Sequence, residues 1–375
     1  MPDAASSTTR GSVNPVKWIA LLGRQDTPTD GIADYCLFLA KGLAPQGIGL
    51  EQVRVPWSEI GWVAALRQLG RNSSDWRGRW VLLQYTALSW SQRGFPFGVV
   101  AVLATLRHRG VRCAVVFHEP NRQGGSGLLG GVRGVCQDWV IRKLYQAANK
   151  SIFTVPVETV AWLPRGENKA AFIPIGANIP ERARRPPEPA RAAKKKTIIV
   201  FGVTGSPEAA AREVNDISSV MLAACKTFGR LRLVVVGRGA TEARELFTKA
   251  LCGGDVELLV RGVLPAEEIA REFDSADALL FVRGAITTRR GSALAGVASG
   301  VPIVGYRDGN PGGLLEEAGV EWSSSHDRAD LTRALVRVLS DPQRWMELHE
   351  RNLEVQRNYL SWSRIAERFR AELAE

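Results

Sequence analysis

The sequence predicts an α/β fold of two domains, each containing an open, mostly parallel sheet, and two observations indicate it. The chain has 375 residues, more than one hydrophobic core usually accommodates. Short apolar runs alternate with helical patterns along nearly the whole chain, and repeated strand–helix units are typical of parallel sheets. We therefore expect two Rossmann-like domains whose sheets face each other across a cleft, because ligands bind beyond the carboxyl ends of such strands.

The first series of strands defines an N-terminal domain, assigned to residues 16–180. Its first strand ends in a glycine, and a polar loop and a helix from Ile32 to Leu43 follow. The predicted strands are Val16–Gly23, Trp80–Gln84, Arg112–Phe117 and Ser151–Val155.

The second series defines a C-terminal domain, assigned to residues 197–342. Between the domains, residues 181–196 combine prolines with seven basic residues, a composition that neither helix nor strand tolerates and that predicts a solvated linker. The predicted strands are Thr197–Gly202, Leu231–Gly237, Val256–Gly262, Ala278–Val282 and Pro302–Tyr306.

The two ends of the chain have different predicted roles. Residues 1–15 are small and polar without the apolar region of a secretory signal, so we expect a disordered lead-in. Residues 343–375 are expected to form helices that return to the N-terminal domain. The last of them carries an apolar stripe of Trp362, Ile365, Ala366, Phe369 and Leu373, which must pack against another surface.

Composition limits the class of protein. The net charge of +11 favours anionic partners, but no basic stripe with interleaved aromatic residues indicates nucleic-acid binding. No apolar window is long enough to cross a bilayer. We expect a cytoplasmic protein, with peripheral contact at the inner face of an anionic membrane as a further option. The five cysteines lack disulfide or metal spacing and are interpreted as reduced core residues.

Two loops of the N-terminal domain carry candidate site residues. Gly31 opens the first helix, where free backbone N–H groups suit a phosphate or a sugar, although a plain turn glycine fits the loop equally well. His118 and Glu119 follow a strand and therefore lie at the cleft edge. Asp30 is the other acid near that edge.

The C-terminal domain carries a candidate anion site after its fourth predicted strand. Arg283, Arg289 and Arg290 precede a small-residue helix that begins at Gly291 and Ser292. Adjacent arginines at a helix N-terminus add fixed charge to the helix dipole, which favours a diphosphate over the alternative of a solvated surface. Ser292 can alternatively serve as the helix cap, a structural role.

The order of several short motifs resembles one family. The chain is similar from Lys17 to Leu373 to GT-B glycosyltransferases, in particular the family-four-like retaining enzymes of the glycosyltransferase group 1 type. The motifs are Asp30-Gly31-Ile32-Ala33-Asp34-Tyr35, Gln84-Tyr85, His118-Glu119-Pro120, residues 173–180 (IPIGANIP), Gly300-Val301-Pro302-Ile303-Val304 and Ser361-Trp362-Ser363-Arg364-Ile365-Ala366.

The resemblance implies a sugar transfer, with retention of the anomeric configuration, from a nucleotide-diphosphate sugar that serves as co-substrate without a separate cofactor. We expect no metal ion, because the sequence contains no Asp-x-Asp motif and no His/Asp ligand cluster. The resemblance also implies a GT-B fold with an N-terminal acceptor domain and a C-terminal nucleotide-sugar domain. The expected catalytic residues are His118 and Asp30. The expected diphosphate ligands are Gly31, Arg289, Arg290, Gly291 and Ser292, the residues near the nucleotide are Gly202, Thr204, Gly237, Thr287 and Thr288, and the residues near the acceptor are Gln84, Tyr85, Glu119, Asn121 and Arg122.

The chain departs from the family at two carboxylates. The family's C-terminal domain usually has two glutamates eight residues apart, and here Thr287 and Ala295 stand in their places. A catalytically silent GT-B protein that binds a nucleotide or serves as a scaffold is therefore the alternative. For an active enzyme we expect a glycan or lipid-linked acceptor, because the basic linker and the tryptophans Trp57, Trp62 and Trp90 suit a membrane surface.

Overall fold

The computed structural model describes residues 16–122, 127–166, 168–181, 195–307, 313–324 and 326–374. The predicted lead-in at 1–15 and most of the predicted linker lie outside these residues. In the described part, two six-stranded sheets are present, in the orders β2-β1-β3-β4-β5-β6 and β12-β11-β10-β7-β8-β9. Every strand pair of both sheets is parallel. This is the expected pair of Rossmann-like domains.

The N-terminal sheet extends over residues 16–172. Its strands are β1 (Val16–Leu22), β2 (Ile48–Arg54), β3 (Trp80–Tyr85), β4 (Arg112–Phe117), β5 (Lys150–Phe153) and β6 (Ala170–Phe172). Its helices are α1 (Gly31–Leu43), α2 (Trp57–Ile60), α3 (Trp62–Asn72), α4 (Gly98–His108) and α5 (Gly127–Ala147).

The C-terminal sheet extends over residues 197–323. Its strands are β7 (Thr197–Phe201), β8 (Leu231–Val236), β9 (Val256–Gly262), β10 (Ala278–Phe281), β11 (Ile303–Tyr306) and β12 (Val320–Ser323). The helices that accompany it are α6 (Pro207–Phe228), α7 (Arg244–Ala250), α8 (Ala266–Ser275), α9 (Gly291–Ala298), α10 (Gly313–Glu316), α11 (Arg328–Ser340) and α12 (Pro342–Val355), and α13 (Trp362–Leu373) ends the chain.

Each sheet is buried on both faces. In β1, Ile19 and Leu21 join one apolar cluster, whereas Trp18, Ala20 and Leu22 join another on the opposite face. Side chains alternate across a strand, so a sheet covered by helices on both sides needs apolar residues at every position. This is why the central strands stand out in the sequence as continuous apolar runs.

The strands absent from the sequence prediction are β2, β6 and β12. In β2, Glu51 and Gln52 are exposed because the strand lies at the edge of its sheet, so its polar composition resembles a loop. β6 has three residues. In β12, Glu321 is buried and accepts from Arg337 and Arg344 at 2.6 and 2.7 Å, and an acid inside a strand obscures the apolar pattern.

Two expectations about burial are corrected. Cys36 and Cys113 are buried, but Cys252 is exposed, because it follows α7 on the surface. Of the three tryptophans expected to suit a membrane surface, which requires exposed rings, Trp57 and Trp90 are buried. Trp90 donates its indole N–H to the Gln84 carbonyl at 2.8 Å, so these rings belong to the N-terminal core and give no support for a membrane contact.

The C-terminal helices connect the domains at one point. α12 remains with the C-terminal sheet, where Asn352 bonds the backbone of Gly319 and Val301 at 2.8 and 2.9 Å. A π-helical turn at Gln356–Leu360 follows, and α13 then packs against α1 with the apolar stripe identified in the sequence. The chain therefore crosses at about Ser361, later than the expected limit at residue 343.

Trp362 is the centre of this crossing. Its ring stacks on Phe38 with centroids 5.7 Å apart, and its indole N–H donates to the Ala177 carbonyl at 2.8 Å. Its backbone N–H donates to Glu181 at 3.0 Å. A single residue thus contacts α1, the end of the N-terminal domain and the start of the predicted linker.

The close approach of α13 to α1 predicts the effect of a substitution. A Cβ on Gly42 would lie 2.4 Å from the Trp362 carbonyl oxygen, a backbone atom. We expect Gly42→Ala to lower the free energy of unfolding by about 1–3 kcal/mol, the usual cost of overpacking. The measurement is urea denaturation followed by circular dichroism.

Gly131→Ala is the matched control, because Gly131 is also helical and has open space around its Cβ position. Alanine has the higher helix propensity, so this variant is expected to gain up to about 1 kcal/mol. Equal effects of the two substitutions would contradict close packing of α13 on α1.

Candidate active site

The carboxyl ends of both sheets open onto one cleft. Three adjoining pockets of about 290, 400 and 520 Å³ occupy it. Gly31 at the start of α1 lines all three, and Gly291 at the start of α9 lines two of them. The N-termini of one helix from each domain therefore lie at the same cavity.

His118 lies at the carboxyl end of β4 and lines the pocket of about 400 Å³. Its Nε2 is 2.8 Å from Gln84 Oε1. The Gln84 amide N–H₂ donates to the Leu82 carbonyl, which orients Oε1 toward the imidazole, so Nε2 carries the proton and Nδ1 is the acceptor. Burial lowers the pKa of His118 to about 4. The side chain is therefore a neutral imidazole at physiological pH.

Gln84 and Tyr85, both expected near the acceptor, are buried in the N-terminal domain. Gln84 supports His118 from behind, and Tyr85 packs on Phe117 with ring centroids 5.7 Å apart. The reason is their position within β3, whose residues are covered by helices on both faces. The structure therefore places neither side chain on the surface of the three pockets.

Asp30 serves as the N-cap of α1. Its Oδ1 accepts from the backbone N–H groups of Ile32 and Ala33 at 3.2 and 3.0 Å. Its Oδ2 accepts from Arg54 at 2.7 Å. A capping carboxylate with an arginine partner has a clear structural role, and its expected catalytic role stays a prediction.

The residues after β4 divide into two groups. Glu119 lines two pockets and accepts from the Ala87 N–H at 3.4 Å. Asn121 and Arg122 are exposed, and Arg122 pairs with Asp138 of α5 at 3.7 Å. Of the predicted acceptor residues, the structure therefore brings Glu119 to the cleft together with His118.

The start of α9 is a helix end without a side-chain cap among the described residues. Arg290 is the N-cap residue, and it makes no capping bond with its side chain. Ser292 is thus not the cap, which removes the structural role considered for it in the sequence. Gly291 and Ser292 line the pocket at this point, and uncapped N–H groups at a helix N-terminus attract anions.

Three arginines surround this helix end. Arg283 lines the pocket beside Gly291, and Arg289 and Arg290 line the neighbouring pocket. Desolvation lowers the pKa of Arg283, which the charge of Glu213 opposes. Desolvation also lowers the pKa of Arg290, and repulsion by Arg283 and Arg289 lowers it further. The cations remain protonated, so an anion bound among them relieves their mutual repulsion.

The glycines after β7 and β8 shape the same pocket. Gly202 and Gly237 both have positive φ, at 83° and 87°, and both line it. A Cβ on Gly202 would lie 2.4 Å from Arg283 Nη1. Glycine is favoured there because of the positive φ, and the absence of a side chain lets the guanidinium of Arg283 pack against the backbone.

Thr204, expected near the nucleotide, is bonded to a buried carboxylate. Its backbone N–H donates to Glu213 at 2.9 Å, and its hydroxyl donates to the same side chain. Glu213 comes from α6 and is buried. Nothing in the sequence indicates this role for Glu213, because an acid on an amphipathic helix normally faces solvent.

Thr287 and Ala295 occupy the two positions at which glycosyltransferases of the resembled type usually have glutamates. The Thr287 hydroxyl is buried without a partner in the described part of the chain. Ala295 is buried and lines the pocket beside Arg283. Thr288, expected near the nucleotide, instead donates its hydroxyl to the Thr154 carbonyl of the N-terminal domain at 2.8 Å. Thr288 is therefore an interdomain contact.

Sequence reasoning missed two residues of the cleft. Arg238, after β8, reaches the other domain, where it donates to Thr29 Oγ1 at 2.6 Å and pairs with Asp26 at 3.0 Å. Asn178 donates its amide to the Gly31 carbonyl at 2.9 Å. Asn178 lies within the motif at residues 173–180, so the sequence already indicates its place in the cleft. Nothing in the sequence distinguishes Arg238 from other surface arginines.

Several polar atoms around the cleft are buried without a partner among the described residues. They are the Tyr35 hydroxyl, Asn178 Oδ1 and Arg283 Nε, and all three side chains line the pockets. A buried polar atom without a hydrogen bond is costly. Their convergence on one cavity indicates that a polar ligand or water completes it.

The low pKa of His118 predicts a pH-dependent stability. As pH falls, the unfolded chain takes up the proton near the ordinary value of about 6.5, whereas the folded chain does so at about 4. The free energy of unfolding therefore decreases by a total of about 3 kcal/mol as the pH falls from about 6.5 to about 4, and His118 does not affect it at higher pH.

Urea denaturation at several pH values measures this free energy, and His118→Gln should remove this part of its dependence on pH. His108→Gln, at an exposed histidine, is the control, and an unchanged slope in His118→Gln would contradict the assignment.

Comparison with solved structures identifies the fold. A glycosyltransferase from Rickettsia africae matches over 96% of this chain and 99% of its own, with a TM-score of 0.64 and 10% identity. Anabaena HepE, in complex with UDP and glucose, matches over 96% and 99%, with a TM-score of 0.63 and 12% identity. A Listeria monocytogenes protein described as a UDP-N-acetylglucosamine 2-epimerase matches over 95% of both chains, with a TM-score of 0.61 and 10% identity. No family model matches the sequence, and neither does any curated protein. The two Rossmann-like domains and their shared cleft are those of the GT-B fold.

Proposed function

We propose that this protein is a glycosyltransferase that moves a sugar from a nucleotide-diphosphate donor to a hydroxyl acceptor. One observation carries the proposal: the uncapped N-terminus of α9, with Arg283 and Arg290 beside it, shares a cleft with the neutral imidazole of His118. The helix N-terminus and its arginines suit a diphosphate. The neutral imidazole suits an uncharged, hydroxyl-bearing ring.

In the proposed reaction, catalysis depends mainly on stabilising the departing diphosphate. The bond between the anomeric carbon and the diphosphate oxygen breaks, and the diphosphate leaves with the electron pair. The acceptor oxygen bonds to the anomeric carbon, and its proton passes to an oxygen of the departing phosphate. Fixed cations and N–H groups that balance the growing negative charge lower the barrier. Arg283, Arg290 and the backbone at Gly291 supply them here.

This arrangement supports a reaction without a metal ion, because the arginines supply the positive charge. We further propose that the anomeric configuration is retained and that the sugar is a hexose, as the resemblance implies. HepE with UDP and glucose supports UDP as the first nucleotide to test for binding and UDP-glucose as the first donor.

The acceptor is proposed to enter from the N-terminal side of the cleft. His118 Nδ1 is an acceptor for a sugar hydroxyl, and Glu119 extends the polar surface into the pocket of about 520 Å³. We propose a glycan or a lipid-linked hydroxyl compound, whose carbohydrate portion would use these contacts.

A catalytically silent nucleotide-binding protein is the second candidate. It is favoured by Ala295, which lines the pocket at a position where the family usually has a carboxylate. Alanine cannot hydrogen-bond a ribose or a sugar hydroxyl. Binding of UDP without release of UDP from UDP-glucose in the presence of acceptors would indicate this candidate.

Replacing one arginine tests the diphosphate site. Calorimetric titration with UDP is expected to show binding to the unmodified protein and an approximately 10- to 100-fold higher Kd for Arg290→Ala, because a charge-assisted bond is lost. Arg271→Ala, at an exposed arginine of α8, is the charge-matched control and should bind UDP normally. Equal affinities of the two variants would overturn the assignment, and parallel titrations with GDP and ADP identify the base.

The two glycines at the helix starts give a second test. Gly31 and Gly291 have no positive φ, and no atom lies within 4 Å of a Cβ built on either. The fold therefore does not require glycine there, but close approach of a ligand does. Gly31→Ala and Gly291→Ala should keep the melting temperature and weaken UDP binding at least about threefold by crowding the phosphates. Gly49→Ala, at an open glycine on the edge strand β2, should change neither, and unimpaired UDP binding by both cleft variants would contradict the proposed pose.

A further inference from the structure

Helix α5 exposes an unusual apolar surface. Leu128, Leu129, Val132, Val135 and Trp139 are 92%, 81%, 56%, 64% and 47% exposed. Four of them are spaced by four, three and four residues, which places them on one side of the helix. We call these five side chains the α5 face. A contiguous exposed apolar surface on a folded protein usually marks a contact with a partner or a membrane.

The apolar surface continues onto the neighbouring helices. Phe97, which is 47% exposed, packs on Trp139 with ring centroids 5.9 Å apart. The next residue, Gly98, lies against the Trp62 ring at the start of α3, and Val63 beside it is exposed. The first residues of α3 and α4 therefore join the α5 face in one apolar surface.

Cations follow the apolar residues along the same helix. Arg142 and Lys143 are exposed and lie three and four residues after Trp139, so they extend the same side of α5. The half-buried acid on this helix, Asp138, pairs with Arg122. α3 and α4 repeat the order, with apolar residues at their starts and Arg71 and Arg107 in their last turns.

The apolar surface borders the cleft. α4 follows β3 and α5 follows β4 along the chain, so both helices begin near the carboxyl edge of the sheet, where His118 and Glu119 lie. A partner bound to this surface is therefore beside the entrance for the acceptor.

We propose that the α5 face and its flanking cations bind the surface of an anionic lipid membrane. Apolar side chains at the interface together with nearby arginines and lysines are the combination that stabilises peripheral binding. A second copy of this chain is the less suitable occupant, because each copy carries a net charge of +11 and association would bring these charges together. Lipid binding is separate from sugar transfer, so either property can fail without the other.

Flotation of the full chain with lipid vesicles tests the proposal. Vesicles of phosphatidylcholine and phosphatidylglycerol at roughly 7:3 should bind the protein, and vesicles of phosphatidylcholine alone should bind it much more weakly. Val135→Glu should lower the partition coefficient at least about tenfold, because it removes an apolar contact and adds a negative charge. Lys143→Glu should lower it about fivefold or more.

Matched controls come from an exposed helix of the other domain. Leu246→Glu and Lys249→Glu change an exposed leucine and an exposed lysine of α7, and both should float like the unmodified protein. Circular dichroism establishes that all four variants are folded. The proposal is overturned if the unmodified chain does not float with anionic vesicles or if the α7 variants lose binding equally. A dimer in light scattering that Val135→Glu dissociates, without flotation, would assign the surface to a second copy instead.

Discussion

The contacts of Trp362 determine how the two domains share a site. This residue bonds Ala177 and Glu181 at the end of the first domain and stacks on Phe38 of α1, immediately after the chain has left the second domain. α1 begins at Gly31, which lines every pocket of the cleft described above. The packing of α13 on α1 therefore sets where the first helix N-terminus stands relative to the second. The site depends on this distant packing because neither helix end forms a closed pocket alone.

Burial explains the two electrostatic properties of the cleft. At His118, desolvation disfavours the charged imidazole and yields a neutral hydrogen-bonding group. At Arg283, desolvation also disfavours the charge, but the guanidinium stays protonated and Glu213 partly compensates it. The same low-dielectric cavity thus contains a neutral side and a cationic side. Such a difference suits a ligand with an uncharged ring at one end and phosphates at the other.

The sequence predicted the elements whose causes are local. Central strands such as β4 and β8 are continuous apolar runs, and His118 and Gly31 lie immediately beside elements whose ends must face the cleft. Residues whose roles depend on distant partners were not predictable in this way. Glu213 acquires its role from Thr204 and the arginines, and Arg238 from a loop about 210 residues earlier. Tyr85 was misplaced because a motif gives the position of a residue but not the direction in which its side chain points.

No helix in the described part of the chain is long and apolar enough to cross a membrane. The apolar surface of the first domain instead combines the α5 face with the exposed starts of α3 and α4. A search over consecutive residues does not reveal the whole surface, because the three helices are separated in the sequence. It becomes evident when the helices are placed side by side on the sheet.

The bridge from Arg238 to Thr29 and Asp26 has a consequence for the opening of the cleft. Both ionic partners are exposed, at 42% and 56%, and exposed ion pairs contribute only about 0–1 kcal/mol. Unlike the buried bond between Thr288 and Thr154, this contact between the domains is one that water and salt readily replace. Opening of the cleft at this edge therefore costs little free energy, and that cost decreases further as the salt concentration rises.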